Sequence, residues 1–396
     1  MRQLSTQDLE DIVYGAAFLA SGGGGPLSMG LELAKLIAEP VQLINVEEVG
    51  ADIWGAVAAG MGTKKAPPSQ RKAFQSFLRQ KRFANSLAGP IQILIETFEL
   101  LETTLNKKFS YILPIETGAV NTLAPIAVAA QKKIPVVDGD GAGRAVPKLE
   151  LTTYAASGIP VSPLTLSNLR SATDEEIKTV LYANTPSLME QLARNILSTE
   201  EFGNEAAIAT HAMDGKTLQA KKPIITNTIS RALEVGTTLR QAREGRKDPV
   251  KALLNFLNDS SRSKNQCAFE LFRGTIELVE ERIEEGFTWG SLTLKDSKET
   301  VHVMYQNENL IAWRDNKSNP MAIAPDSICY LKPDGTPLSI ADNLTQGDEL
   351  VLIGLKAPEA LRQNAQVFQK VLAGLGYGGS YVPIEQLQDT YKQSKS

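Results

Sequence analysis

IPVVDGDGAGRAVPKLE, residues 134–150, changes character in mid-run. Ile134, Val136 and Val137 form a short β-branched run of the kind buried in a parallel sheet, and two carboxylates, three glycines and an arginine follow directly. Asp138 and Asp140 alternate with Gly139 and Gly141, which sets both carboxylates at the carboxyl edge of a strand. Gly141 and Gly143 let a ligand approach the backbone closely, and Arg144 adds a planar fork for an anion or a carboxylate. A plainer reading of the same residues is a solvated Asp-Gly turn in which Arg144 ties the loop down.

Working outward, Tyr111–Ile115 reads as a strand and Asn121–Lys132 as an alanine-rich helix that leads into this run. Strand, helix, strand predicts a right-handed parallel βαβ unit. Glu116 closes its first strand and Asp138 its second, so both carboxylates are expected at one edge of the sheet, where open α/β folds bind ligands. Further upstream, Ser5 or Thr6 caps a first helix that runs into SGGGGP, and Val41–Val46 and Asp52–Ala59 are short strands. Gly22, Gly23, Gly24 and Gly25 before a helix N-terminus are either an anion cradle or a flexible turn. The loop has no GKS/T and follows a helix, so no nucleotide cofactor is expected. The basic run over 63–83 either guides an anionic substrate or is a solvated helix.

Downstream, Thr173 and Glu176 form a capping box for a helix through Tyr182, and Pro186 starts another. A helical interlude continues to about Lys264 and contains His211 in THAMDG, which is a ligand, a base or a structural histidine. From Phe287 the chain reads as strands separated by turn signals such as Asp315-Asn316 and Asp334-Gly335. The expected fold is an α/β N-terminal domain with a parallel sheet over 1–165, followed by a mainly β C-terminal domain over 166–396. In the second domain the helical interlude gives way to an antiparallel β module from about 287.

A chain of 396 residues with formal net charge -4 gives no electrostatic reason to expect nucleic acid, and no run approaches a membrane span. The polar, acidic start MRQLSTQDLEDI is unlike a secretory signal, so a cytoplasmic location is expected. Cys267 and Cys329 lack CxxC spacing, which argues against a disulfide framework or a thiolate zinc site.

The order of motifs resembles one known family. SGGGGP at 21–26, IETGAVNTLAPIAVAA at 115–130, IPVVDGDGAGRAVPKLELTT at 134–153, FRGTIELVEERIEEGFTWGSLTL at 272–294, YQNENLIAW at 305–313, APDSICYL at 324–331 and GYGGSYVP at 376–383 together resemble the DUF917 family, linked to S-methyl thiohydantoin desulfurase. The resemblance spans essentially the whole chain. It implies metal-assisted hydrolysis at C2 of a five-membered cyclic amide, such as a hydantoin or its S-methyl thio-analogue. The family's pattern vDxDGxGRAxPEL falls on Asp138, Asp140, Gly141, Gly143, Arg144 and Pro147, with Lys148 where the family usually has glutamate.

Such chemistry needs an activated water, charge stabilisation on the ring and a proton for the leaving group. The expected metal ligands are Asp138 and Asp140, with His211 or Glu116 completing the set. Oxygen ligands alone suit Mg²⁺ or Mn²⁺, and inclusion of His211 favours zinc or iron. Glu116, Asp140 and Arg144 are the expected catalytic groups, while Gly22 to Gly25, Asn121, Gly141 and Gly143 are expected to cradle the ligand. The expected partner is a small-molecule substrate bound by a homo-oligomer, with a hydantoinase-like protein as a further partner. Two other classes stay open, a non-catalytic subunit and a small-molecule binding protein.

Overall fold

Ser5 begins the first helix as the sequence suggests. Its hydroxyl accepts from the Asp8 amide at 3.1 Å while Asp8 accepts from the Ser5 amide at 2.9 Å, a reciprocal capping box. The computed structural model describes residues 1–63, 89–169, 176–261, 267–315, 318–342 and 344–395. Most of the basic run, Thr173 and Asn316 lie outside the described residues.

The N-terminal strands are β1 (Arg2–Leu4), β2 (Val41–Ile44), β3 (Trp54–Gly62), β4 (Phe109–Pro114), β5 (Val136–Val137) and β6 (Gly139–Asp140). Next come β7 (Leu164–Asn168), β8 (Lys178–Leu181), β9 (Glu205–Asp214) and β10 (Ile225–Thr226). One eight-stranded sheet runs β1-β2-β5-β4-β3-β9-β7-β8, and β6 pairs with β10 beside it. Strands β2, β5, β4 and β3 are mutually parallel and the remaining pairs are antiparallel, so the sheet is mixed with a parallel centre. Ile112 on β4 registers with Val136 on β5, and Glu116 and Asp138 therefore follow their strands at the same edge.

Helices α1 (Thr6–Leu19), α2 (Leu27–Leu36), α3 (Pro90–Leu105) and α4 (Ala119–Lys132) bury apolar stripes around the sheet. On its other face α5 (Pro186–Leu197) packs Met189, Ala193 and Leu197 against Val57, Leu164 and Ile208. Helix α6 (Thr228–Glu244), followed by α7 (Pro249–Leu257), crosses α1 at backbone contact. A Cβ on Gly15 would stand 1.7 Å from the Ala232 carbonyl oxygen, and one on Gly236 would stand 1.8 Å from that of Asp11. Arg240 fixes the crossing by donating to both carboxylate oxygens of Asp11 at 2.8 and 2.9 Å.

Two expectations change here. Residues 165 and 166 lie inside β7, and the first sheet continues through β9. The segment EAAIATHAMD, read as helical, is strand β9: its alanines let it run between β3 and β7 as a buried central strand, where packing overrides propensity. The helix expected through Tyr182 is likewise replaced by β8, whose β-branched Thr179 and Val180 pair with β7.

The second sheet is wholly antiparallel and starts earlier than residue 287. Its strands are β11 (Ala268–Glu284), β12 (Phe287–Lys295), β13 (Thr300–Gln306), β14 (Glu308–Arg314), β15 (Pro320–Ile323), β16 (Ser327–Leu331), β17 (Pro337–Leu338) and β18 (Glu349–Leu355). Their order is β15-β14-β13-β12-β11-β18-β16-β17. In β11, Glu277 and Glu280 face solvent while Leu271, Phe272 and Ile276 enter the core. Helices α8 (Ala365–Gly374) and α9 (Ile384–Lys395) close the chain.

Candidate active site between the two sheets

The DGDGAGR loop leaves the parallel sheet at the seam and its polar groups are consumed locally. Asp140 Oδ1 accepts from the amides of Ala142 and Gly143 at 2.7 and 2.6 Å, and Oδ2 accepts from the Thr117 hydroxyl at 2.6 Å. Asp138 turns the other way and caps α6: Oδ1 accepts from the Ile229 and Ser230 amides at 3.0 and 3.1 Å, and Oδ2 from the Ser230 hydroxyl. Burial raises both acids above the usual carboxylate range, and these donors oppose the rise. Gly141 sits where a Cβ would meet the Tyr154 ring at 2.6 Å, and Gly143, at φ +65°, borders a second cavity of about 350 Å³.

Arg144 is fully buried and spends its fork on the other sheet. Its Nε donates to the Ala145 carbonyl, its NH1 group to the carbonyls of Pro325 and Asp326, and its NH2 group to that of Asn309, all at 2.8–3.0 Å. Loss of hydration lowers its pKa to about 10. The expected substrate fork is spent as a clasp between the two sheets. Ser21, at φ +52°, adds a second clasp, since its hydroxyl accepts from the Ile328 amide at 2.9 Å.

Beside these clasps a cleft of about 540 Å³ opens between the SGGGGP loop, the ends of β3 and β4, α5 and the β13–β14 turn. It brings together Gly22 to Gly25, Glu116 and Asn121 from the expected site, but not Asp138, Asp140, Arg144, Gly141, Gly143 or His211. The glycines are required by close approach: a Cβ on Gly24 would fall 2.4 Å from Gly118 Cα, and one on Gly25 would fall 2.4 Å from Val120 Cγ2. Asn121 links the parallel strands at this edge. Its amide donates to Glu116 Oε1 at 2.7 Å, and its carbonyl accepts from the Gly60 amide at 3.0 Å.

Glu116 is also held by the Val146 amide on Oε2 at 2.7 Å, and burial raises its pKa to about 7. Glu308, the first residue of β14, lines the same cleft and is 5% exposed. Its Oε2 has no hydrogen-bond partner among the described residues, and a Cβ on Gly23 would strike its Oε1. Desolvation first, then the negative charge of Glu116, holds the Glu308 carboxyl well above its usual range. The cleft thus contains two carboxyls raised by burial, Glu308 with an open oxygen and Glu116 held by two hydrogen bonds, the kind of unequal pair that acid and base roles use. Nearby, Glu190 accepts from Arg194 Nε at 2.7 Å and from the Leu149 amide at 3.0 Å.

Comparison with known proteins now bears on this geometry. The family model for the S-Me-THD-like N-terminal domain matches residues 7–174, and that for the S-Me-THD-like C-terminal domain matches residues 184–384. This chain belongs to the S-Me-THD-like family. A crystal structure of a protein from Chromobacterium violaceum is 28% identical, covering 97% of this chain and 100% of that chain, with a TM-score of 0.76. No curated protein matches.

In this S-Me-THD-like chain the residues expected to hold a metal do not converge. Asp138 faces α6 and Asp140 faces its own loop, so the amides and the helix dipole supply the counter-charge that a cation was invoked to give. His211 is buried on β9 at φ +49°, stacked on Tyr154 at 5.1 Å between centroids, with Nδ1 3.1 Å from the Pro160 carbonyl oxygen. Its Nε2 has no partner among the described residues, and burial lowers its pKa to about 4. Among the described residues no three His, Cys, Asp or Glu side chains are grouped to hold an ion. The residues present do not fit the metal the family resemblance implies, and no chemical step is routed through one. Glu308, Lys148, Glu190 and Arg194 line the cleft and are not among the expected site residues. The signal for Glu308 was a carboxylate heading an otherwise apolar run, ENLIAW.

Proposed function

We propose that this protein hydrolyses a small five-membered cyclic amide of the hydantoin or S-methyl thiohydantoin type by paired-carboxyl catalysis. The observation that carries the reading is Glu308, a buried carboxyl whose Oε2 has no partner among the described residues and which faces the same cleft as the hydrogen-bonded Glu116. A buried acid left unsatisfied is costly unless a ligand completes it. Family membership supplies the ring class.

For an S-methyl thiohydantoin, Glu116 accepts a proton as the water oxygen bonds to C2, and the C=N electron pair moves to the ring nitrogen. That nitrogen takes the Glu308 proton. The tetrahedral centre then collapses: the hydroxyl proton returns to Glu308, the C–S bond breaks, and the proton held by Glu116 goes to sulfur. The products are the hydantoin and methanethiol, and both carboxyls end as they began. The carboxyl pair supplies the proton transfers, each a contribution of about 10²–10⁴-fold.

The test is methanethiol release from S-methyl thiohydantoin by the wild-type protein and by Glu308→Gln. Turnover that falls by about 10²-fold or more, with ligand affinity retained, supports the assignment. Undiminished turnover in Glu308→Gln removes it. Binding without turnover by the wild type replaces the hydrolase with a small-molecule binding protein.

A further inference from the structure

We propose that Lys148 gives the cleft a carboxylate-binding subsite, so that the ring substrate carries an anionic side chain. This rests on the hydrolase reading above and names the substrate class it takes. Two cations line the cleft, and they differ in what surrounds them. Arg194 is satisfied: its Nε meets Glu190 at 2.7 Å, and its NH1 group donates to the carbonyls of Gly62 and Gly286 at 3.1 and 2.9 Å. Lys148 has no such ion pair or hydrogen bond among the described residues. Its ammonium lies 5.8 Å from the centroid of the Phe287 ring, which Arg194 also covers at 4.3 Å.

The backbone under Lys148 is fixed. Pro147 precedes it, its carbonyl accepts from the Leu151 amide at 3.0 Å, and the next amide is held by Glu190. A half-buried ammonium on a fixed stem at the cleft wall, without a counter-ion among the described residues, is completed by an anionic group from the ligand. Three acidic residues of the cleft are held elsewhere. Glu190 is bound to Arg194 and Leu149, Glu116 to Asn121 and Val146, and Asp342 to Ser339. The catalytic end, at Glu116 and Glu308, and the Lys148 wall then divide the work, one acting on the ring and the other holding its substituent.

The experiment titrates hydantoin-5-acetic acid, its neutral amide, and propionate against the full-length protein by calorimetry and ligand-observed NMR. Wild type, Lys148→Met, Lys148→Glu and Lys148→Arg are compared. The expected result is a preference of about tenfold or more for the acid over the amide in wild type, lost in Lys148→Met, reversed in Lys148→Glu and kept in Lys148→Arg. Equal affinities in wild type, or a preference that survives Lys148→Met, overturn the proposal. If neither ring compound binds while propionate binds wild type and not Lys148→Met, the hydrolase reading falls and the carboxylate subsite stands. Failure of propionate and both ring compounds to bind wild type overturns both.

Discussion

Asp140 and Glu308 are both carboxylic acids buried at the seam between the two sheets, 1% and 5% exposed, and both are raised by desolvation. Asp140 accepts three short hydrogen bonds from its own loop and from Thr117, whereas Glu308 lines the cleft with an oxygen that has no partner among the described residues. A loop rich in charged residues and glycine is therefore the saturated part of this molecule, and a glutamate in a plain strand is the unsaturated part. Chemistry needs groups left with something to bind, so density of polar residues is a weaker guide than the accounting of their partners.

The comparison breaks most sharply at Glu308 and Arg144. The activity test of Glu308→Gln, about 10²-fold or more, is the largest effect. Its companion is stability: Gln keeps the shape and the neutral state, so the denaturation midpoint of Glu308→Gln should stay close to wild type. A large loss would mean that Glu308 is a structural group like Asp140. Arg144→Leu should cost about 3–5 kcal/mol in denaturant melts, since it orphans buried carbonyls of Pro325, Asp326 and Asn309 on the opposite sheet. A loss of hydantoin affinity with unchanged stability would restore Arg144 to the ligand.

The pH dependence of stability separates the cleft from the buried histidine on β9. Glu116 is raised from 4.5 to about 7, so its unfolded form ionises first and its contribution to stability is lost as pH rises from 4.5 to 7. His211 is lowered from 6.5 to about 4, so its contribution is present above 6.5 and is lost as pH falls from 6.5 to 4. Each effect is on the order of 3 kcal/mol, with opposite sign in the shared window. The difference in unfolding free energy between wild type and Glu116→Gln should therefore change one way with pH, and that for His211→Gln the other. Parallel curves would show that the two groups are not perturbed as their burial requires.

Much of the parallel core was legible. The apolar periods of α1 and α4, the Ser5 cap and the β4–α4–β5 order were readable because local spacing encodes them, and they place Glu116 and Asp138 on one edge. Strand β9 was not, since alanines in EAAIATHAMD favour helix locally and only insertion between β3 and β7 makes it extended. Glu308 carried only the weak signal of a carboxylate at the head of ENLIAW, for a related reason. Its burial comes from the SGGGGP loop, nearly 290 residues away, where Asn309 donates to the Ser21 carbonyl at 2.8 Å. The fate of Arg144 had been one of two readings of the same residues. What decided it, three carbonyls on the second sheet, has no signature in the DGDGAGR stretch itself.

The smallest effect tests the saturated half of the comparison at Asp140. In Asp140→Asn the amide oxygen can still accept from the Ala142 and Gly143 amides, and the Thr117 hydroxyl can turn to accept from the new NH₂ group. The change removes a carboxyl that burial already disfavours as an anion, so the loop should keep its shape at a cost of about 1 kcal/mol, read as a shift in the denaturation midpoint. Divalent metal per chain after reconstitution with Zn²⁺, Mn²⁺ or Fe²⁺ should be the same in variant and wild type, because neither Asp140 oxygen is turned toward a shared site with Asp138 or His211. Hydantoin affinity should not move either, since Asp140 does not line the cleft. A variant that lost bound metal and activity together would show that the loop opens in solution to ligate an ion. It would place the DGDGAGR residues back among the catalytic groups, and Asp140 would then belong with Glu308 rather than against it.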